Sequence, residues 1–220
     1  MAKTACFIPI KAISKRVKGK NFRPLCGMPL YQYIIYNAIK SKSFDVIYID
    51  TDSSEVIDYC TKLSGVELIN RKKELAQDDA NGNDLLNYHY SLFPDYDYYF
   101  QLFATAPFLR GDTISKCVKA LVDNVEYDSV LTASKECGWF WFYGTPINYD
   151  PKILPRSQDA MAVVKETTGL YGITNQSLKD NKCRIGINPF FFYLDEVQSL
   201  DIDTEFDFEF AQKIMEKVRC

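Results

Sequence analysis

The sequence lacks an excess of positive charge, a long apolar run, paired cysteines and all but one histidine, and each shortage excludes a class of function. With 26 basic against 29 acidic side chains the formal net charge is −3, so the broad basic field that binds nucleic acid is missing. The N-terminal stretch "MAKTACFIPI" is too short in apolar residues to be the core of a signal peptide. No later stretch reaches the roughly eighteen apolar residues of a membrane-spanning helix. A cytosolic protein is expected. The seven cysteines (6, 26, 60, 117, 137, 183 and 220) form no CxxC pair and are odd in number. That argues against a disulfide framework or zinc site and for reduced, mostly buried thiols. The one histidine, His89, sits in the helix-like "LLNYHYSLF", where a packing or surface role is expected rather than catalysis.

What is present fits one large soluble domain: 220 residues, nearly half hydrophobic and a quarter charged. Hydrophobic period gives an alternation of elements. "TACFIPI" reads as a buried strand and residues 28–42 as an amphipathic helix. "DVIYIDT" is a second strand, followed by a helix capped by Asp52 or Ser53. "GVELIN" is a short strand, 83–93 a helix, "DYYFQLF" a strand, 111–124 a helix and "DSVLTAS" a strand. Strands alternating with helices over this length predict a mostly parallel sheet with helices on both faces. The pattern breaks at "CGWFWFYGTPINYDPKILPRSQDAMAVVKE", residues 137–166. So long a run without periodicity implies an arm, a lid or a partner surface. Its aromatics, Trp139 to Tyr143, would be covered by a partner subunit or ligand if exposed; a satellite core beneath the loop is the alternative. Regular structure resumes with "GLYGIT", a helix at 175–181 and "PFFFYLD".

Two charged stretches near opposite ends of the chain complement each other. "IPIKAISKRVKGKNF" follows the first strand and carries Lys11, Lys15, Arg16, Lys18 and Lys20. In an open α/β sheet the loop after the first strand lies where ligands bind, and basic side chains with free backbone amides there form a phosphate cradle. No GxxxxGK[ST] is present, so this is not a Walker A loop. "SLDIDTEFDF", residues 199–208, places acids at every second position. Asp201 and Asp203 project together from the end of an extended segment. Thr204 then caps a helix, with Asp207 completing a capping box and Glu205 in the first turn. Phe206, Phe210, Ile214 and Val218 recur at helical spacing as a packed face. Facing a basic loop, the acidic pair suggests Mg²⁺ between carboxylates and a polyphosphate.

These stretches resemble the acylneuraminate (CMP-sialic acid synthetase-like) cytidylyltransferases. "IPIKAISKRVKGKN" is similar to that family's IPARGGSKxxxxKN, "YIDTDSSEVID" to VSTDSEEIA and "NRKKELAQDDANGNDLL" to RPxELAxDxASSxDVL. "LFATAPFLR" is similar to LQPTSPLR and "SLDIDTEFDFEFA" to SIDIDTELDFELA. The motifs occur in order over nearly the whole chain. The resemblance implies a Rossmann-like α/β domain spanning 1–220 with a small dimerisation arm, the 137–170 excursion, and a homodimer. The implied activity is transfer of CMP from CTP to an acidic, nonulosonic-acid-like sugar with release of pyrophosphate. Carried over by position, Lys11, Ser14, Lys15, Lys20 and Asn21 meet the triphosphate, Arg71 lies near the nucleotide, and Asp201 and Asp203 bind Mg²⁺. Lys11, Lys20 and Asp203 are the implied catalytic groups.

The departures fall at the substrate-facing positions. The first-loop arginine is Lys11 here, which keeps the charge without the bidentate fork, and Gly-Gly is Ala12-Ile13. Gly82 replaces a serine on the nucleotide side. Phe103 replaces the glutamine that faces the sugar, and its ring cannot donate a hydrogen bond. "LPRSQDAMAVVKETTGLYGI" is similar to RRQDLPxxxxxNGAIYI, which makes Arg156, Gln158 and Lys165 acceptor-side candidates, with Asp159 beside them. Arg156 has an equal alternative in a surface ion pair with Asp159. Two other functions stay open at this point: nucleotidyl transfer to a sugar phosphate or phosphonate, and a catalytically weak nucleotide-binding protein.

Overall fold

In the computed structural model, which describes residues 2–14, 16–77 and 79–219, the chain begins with β1 (Thr4–Ile10). It passes through the basic loop and a small hairpin, β2 (Pro24–Leu25) with β3 (Met28–Pro29), into α1 (Leu30–Ser41). Next come β4 (Val46–Thr51), α2 (Ser54–Cys60), β5 (Val66–Asn70), α3 (Gly82–Leu92), β6 (Tyr98–Leu102), α4 (Gly111–Val122) and β7 (Ser129–Glu136). The excursion holds a second hairpin, β8 (Trp141–Phe142) with β9 (Thr145–Pro146). The chain closes with β10 (Val163–Thr174), α5 (Asn175–Asn181), β11 (Pro189–Tyr193) and α6 (Glu205–Arg219).

Seven strands form one sheet in the order β11-β7-β10-β6-β1-β4-β5. β1 pairs in parallel with β4, Ala5 opposite Val46, and with β6, Thr4 opposite Tyr98. β10 alone runs against its neighbours β6 and β7. Alternation along β1 feeds two cores. Ala5 and Phe7 join Tyr48, Leu86, Tyr99 and Leu178 on one face; Cys6, Ile8 and Ile10 join Ile34, Ile35, Ile114 and Leu121 on the other. Both faces are apolar because helices cover both, as parallel strands require. Gly172 in β10 lies against Phe100 and Val130 so closely that a Cβ would come within 2.4 Å of the Phe100 ring.

The excursion is shorter than the sequence pattern implied. Val163–Glu166 pair with Glu136–Ala133, so the arm springs from an antiparallel ribbon that prolongs β7 and β10 beyond the sheet. Its aromatics stay exposed: Trp141, Phe142 and Tyr143 are 56%, 64% and 94% accessible, so they form no satellite core in the single chain.

The expected packed face of the last helix is corrected. Phe208, Ala211 and Met215 pack with Leu25, Leu30, Phe108 and Ile202, and Ile214 joins from the edge. Phe206 and Phe210 stand outside, 74% and 49% exposed, stacked on each other. Both sets have helical spacing; the direction in which the capped first turn leaves the loop decides which faces inward. The Val218 side chain lies outside the described residues. Of the six described cysteines, Cys6, Cys60 and Cys117 are buried, Cys26 and Cys183 partly so, and Cys137 is exposed.

Candidate active site

The C-terminal ends of β1 and β4 open onto a cleft of about 500 Å³ lined by Lys11, Ser14, Arg16, Lys20, Arg71, Gln77, Ala80 and Leu85. Local hydrogen bonds shape the first loop. Asn21 Nδ2 donates to the Lys11 carbonyl at 2.9 Å, and the Ala12 amide donates to Asp52 Oδ1 at 2.7 Å. The Ala12 amide is therefore already committed, and charge in the cleft comes from side chains more than from backbone. Lys20 begins a short 3-10 turn, Lys20–Phe22, and is buried.

The acidic ladder meets this loop. Asp201–Asp203 is irregular backbone rather than strand, pinned by the Ile202 amide donating to the Thr105 carbonyl at 2.9 Å. Ile202 is fully buried, which turns its two acidic neighbours the other way. Lys20 Nζ donates to the Ile202 carbonyl and lies 3.5 Å from Asp203 Oδ1; Arg16 reaches Asp203 Oδ2 at 2.9 Å. Burial lowers the Lys20 ammonium pKa below its ordinary value, and the Asp203 and Asp201 charges oppose that shift. Among the described residues, Asp201 Oδ1 is buried without a hydrogen-bond partner. Behind it the capping box forms as expected: Thr204 N–H donates to Asp207 Oδ2 at 2.8 Å and Asp207 N–H to Thr204 Oγ1 at 3.2 Å.

Arg71 is fixed from below. Its Nε lies 3.1 Å from Asp50 Oδ1 and its Nη2 donates to the Asp50 carbonyl at 2.8 Å. His89 Nε2 stands 2.9 Å from Asp50 Oδ2, with its ring stacked on Phe7. Burial would raise the Asp50 carboxyl, but the His89 hydrogen bond and the Arg71 charge outweigh it, and the net shift is downward. Burial also lowers His89, which Asp50 only partly opposes. The consistent assignment is an ionised Asp50 accepting from neutral His89, whose Nδ1 has no partner among the described residues. His89 thus has the packing role expected of it and an electrostatic one besides.

Of the residues singled out in the sequence, Lys11, Ser14, Lys20 and Arg71 line the cleft, Asn21 braces its loop, and Asp203 closes it through Lys20. Lys15 lies outside the described residues. Gly82 opens α3 under the Asn81–Asp84 capping box, and Phe103 meets Tyr171 edge-on with ring centres 6.2 Å apart. Arg156, Gln158 and Lys165 are all exposed on the arm and do not line this cleft. Arg156 makes the ion pair with Asp159, at 2.5 Å. The sequence singled out neither the Asp203 partner Arg16 nor the Asp50–His89 pair. Arg16 was visible only as one of several cations in the loop; Asp50 lies in the "YIDTDSSEVID" stretch, but nothing there pairs it with His89, 39 residues away.

A protein-family model described as cytidylyltransferase matches residues 5–142. Pseudaminic acid cytidylyltransferase of Campylobacter jejuni is 29% identical over 98% of this chain and 97% of its own length. N-acylneuraminate cytidylyltransferase of Escherichia coli is 25% identical over 98% of this chain and 52% of its own. Among solved structures, CMP:2-keto-3-deoxy-manno-octonic acid synthetase complexed with CTP superposes with a TM-score of 0.72 at 17% identity. The match covers 99% of this chain and 100% of that one, and at such identity it speaks for the fold alone.

Proposed function

The chain belongs to the cytidylyltransferase family, and from that premise we propose that it transfers CMP from CTP to an acidic, nonulosonic-acid-like sugar, releasing pyrophosphate. The observation that carries this reading is the junction of Lys20 with Asp203 at the cleft of the first loop. Cations able to hold a polyphosphate there stand beside carboxylates able to hold a metal, which supports the reading. The activities that the relatives are named for, as pseudaminic acid and N-acylneuraminate cytidylyltransferases, favour an acidic sugar over a sugar phosphate.

In the proposed reaction an acceptor hydroxyl attacks the α-phosphorus in line, and the α–β bridging bond breaks. Lys11, Arg16 and Lys20 hold the β- and γ-phosphates as they leave, Ser14 supplies a hydroxyl donor, and Arg71 faces the nucleotide. Catalysis here is positioning plus charge stabilisation. Arg71 is suited to this because Asp50 fixes its guanidinium before substrate arrives, so little ordering remains at the moment of reaction.

Mg²⁺ fits the acidic pair. The buried Asp201 Oδ1 is an oxygen ligand without a counterpart among the described residues, and Asp203 offers a second carboxylate. Two carboxylates completed by phosphate and water suit a hard cation. When bound, Mg²⁺ would neutralise charge on the α-phosphate. Lys20 and Arg16 then hold Asp203 in place while phosphate is absent.

The exposed arm, with Trp141, Phe142, Tyr143, Ile153 and Met161, is proposed as the face that joins two copies of the chain. No helix among the described residues is long and apolar enough to cross a membrane. The activity is tested by incubating the protein with CTP, Mg²⁺ and a panel of nonulosonic acids and following pyrophosphate. Release with at least one acid is expected, and none across the panel would refute the proposal. Light scattering on the eluted protein should give twice the monomer mass; a monomer would remove the arm's assigned role.

A further inference from the structure

Arg184 lies in the loop between α5 and β11, and no motif marks it. Its guanidinium carbon stands 3.6 Å over the centre of the Tyr171 ring and 5.7 Å from that of Phe103. Tyr171 is buried, and its hydroxyl donates to Glu166 Oε2 at 2.9 Å, which fixes the platform. The Arg184 amide donates to Asn83 Oδ1 at 2.9 Å and ties the loop to the first turn of α3. On its other side the guanidinium fills the space over Gly82, where a Cβ would come within 2.4 Å of Nη1. Position 82 therefore has no side chain because Arg184 takes that volume.

Stacking on a ring uses none of the five guanidinium N–H donors. Among the described residues no ion pair or side-chain hydrogen bond engages them. Arg184 is partly buried, where such donors call for an acceptor. Arg184 does not line the basic cleft of the first loop; its neighbours are Gly82, Phe103 and Tyr171. Asp201 lies close enough for its charge to act on the Tyr171 hydroxyl. Arg184 and Asp201 thus both lie within electrostatic reach of the one Tyr171 hydroxyl, which brings the guanidinium into the neighbourhood of the acidic pair.

We propose that Arg184 is the specificity-determining residue that takes the carboxylate of the acidic acceptor, in the bidentate geometry a planar guanidinium allows. This rests on the proposed CMP transfer to an acidic sugar and moves the carboxylate contact from Arg156, which is occupied by Asp159, to a residue inside the domain. Phe103 and Tyr171 then supply an apolar wall for the sugar, in a place where an amide would have competed for the carboxylate.

The test compares wild type with Arg184→Met, Arg184→Lys and Gly82→Ala. Each is assayed with CTP and pseudaminic acid, an N-acylneuraminic acid and 2-keto-3-deoxy-manno-octonic acid, and the best acid is repeated as its C1 methyl ester. Arg184→Met is expected to raise KM for the acid about 10- to 100-fold, the range of a lost charge-assisted hydrogen bond. KM for CTP and calorimetric CTP affinity should stay within about twofold. Esterification should cost wild type a similar factor and Arg184→Met almost nothing more, because the two changes remove the same contact. Arg184→Lys should fall between. Gly82→Ala displaces only the far end of a flexible side chain, so its acid KM should rise with no loss of melting temperature. An unchanged acid KM in Arg184→Met, an ester penalty that persists in it, or equal loss of CTP and acid affinity would overturn the assignment while leaving CMP transfer intact. Failure of wild type to release pyrophosphate with any acid would remove the proposed function, and this role with it.

Discussion

Replacing Asp50 by alanine tests the electrostatic floor of the cleft. The Asp50 and Arg71 side chains are 0% and 3% exposed, and the His89 ring is 0% exposed. Removing the carboxylate strands a buried guanidinium and a buried imidazole N–H at once. Breaking a buried pair from one side typically costs about 3–5 kcal/mol, against a total stability of roughly 5–15 kcal/mol for a domain. For a chain of this size that is a fall in melting temperature of about 6–20 °C. Urea unfolding at pH 7.5 measures the loss, and KM for CTP should rise because Arg71 is no longer held against the cleft. The same pair predicts acid sensitivity. Asp50 and His89 both have folded-state pKa values below their ordinary ones, so the unfolded chain binds more protons as pH falls. Their contribution is complete above the unfolded histidine pKa, about 6.5, and is lost first through His89 and then through Asp50 as the pH falls below it. Wild-type melting temperature should therefore decline from about pH 6.5 downward; Asp50→Ala should lose the part of the decline near and below about pH 4 that Asp50 carries, while its His89 limb, no longer opposed by the carboxylate, should be at least as steep. A loss below about 1 kcal/mol, or an acid limb unchanged by the substitution, would refute the reasoning.

Three further outcomes are expected. Asp203→Asn should reduce kcat/KM on the order of a hundredfold or more, since a neutral amide is a poorer Mg²⁺ ligand. Its melting temperature should stay within a few degrees, because the Asp203 pairs are partly solvated; Mg²⁺-dependent activity at the wild-type level would reject Asp203 as a metal ligand. Gly172→Ala should cost about 1–3 kcal/mol in urea unfolding through overpacking against Phe100 and Val130, and a neutral result would mean those side chains yield freely. The double substitution Phe206→Ser and Phe210→Ser should change stability by less than about 1 kcal/mol, whereas Phe208→Ala should cost about 3–5 kcal/mol; the reverse ranking would restore the helix face expected from spacing.

The order of strands and helices, the parallel sheet and the capping box at Thr204 were legible in the sequence because each depends on near neighbours. β1 carries its apolar run as a local pattern, and Thr204 and Asp207 are three residues apart. The basic loop and the acidic pair were legible for the same reason, as was their complementarity in sign. Sequence order left open which of two equally spaced faces α6 would bury, because that follows from the direction in which the loop pinned by Ile202 and Lys20 hands over the helix. It was equally silent on the meeting of Asp50, His89 and Arg71, which takes place only when β4, α3 and the end of β5 are brought together. Arg184 depends on tertiary structure most of all: a single cation in an unremarkable loop acquires a function only where Tyr171, Phe103 and Gly82 surround it. By itself, then, the sequence determined the order of the elements, the mostly parallel class of the sheet and the chemistry available at the two ends, since these are written in local period and charge. The tertiary structure decided which charges are paired, which rings are covered and which guanidinium is left with free donors, since those depend on distances between residues far apart in the chain.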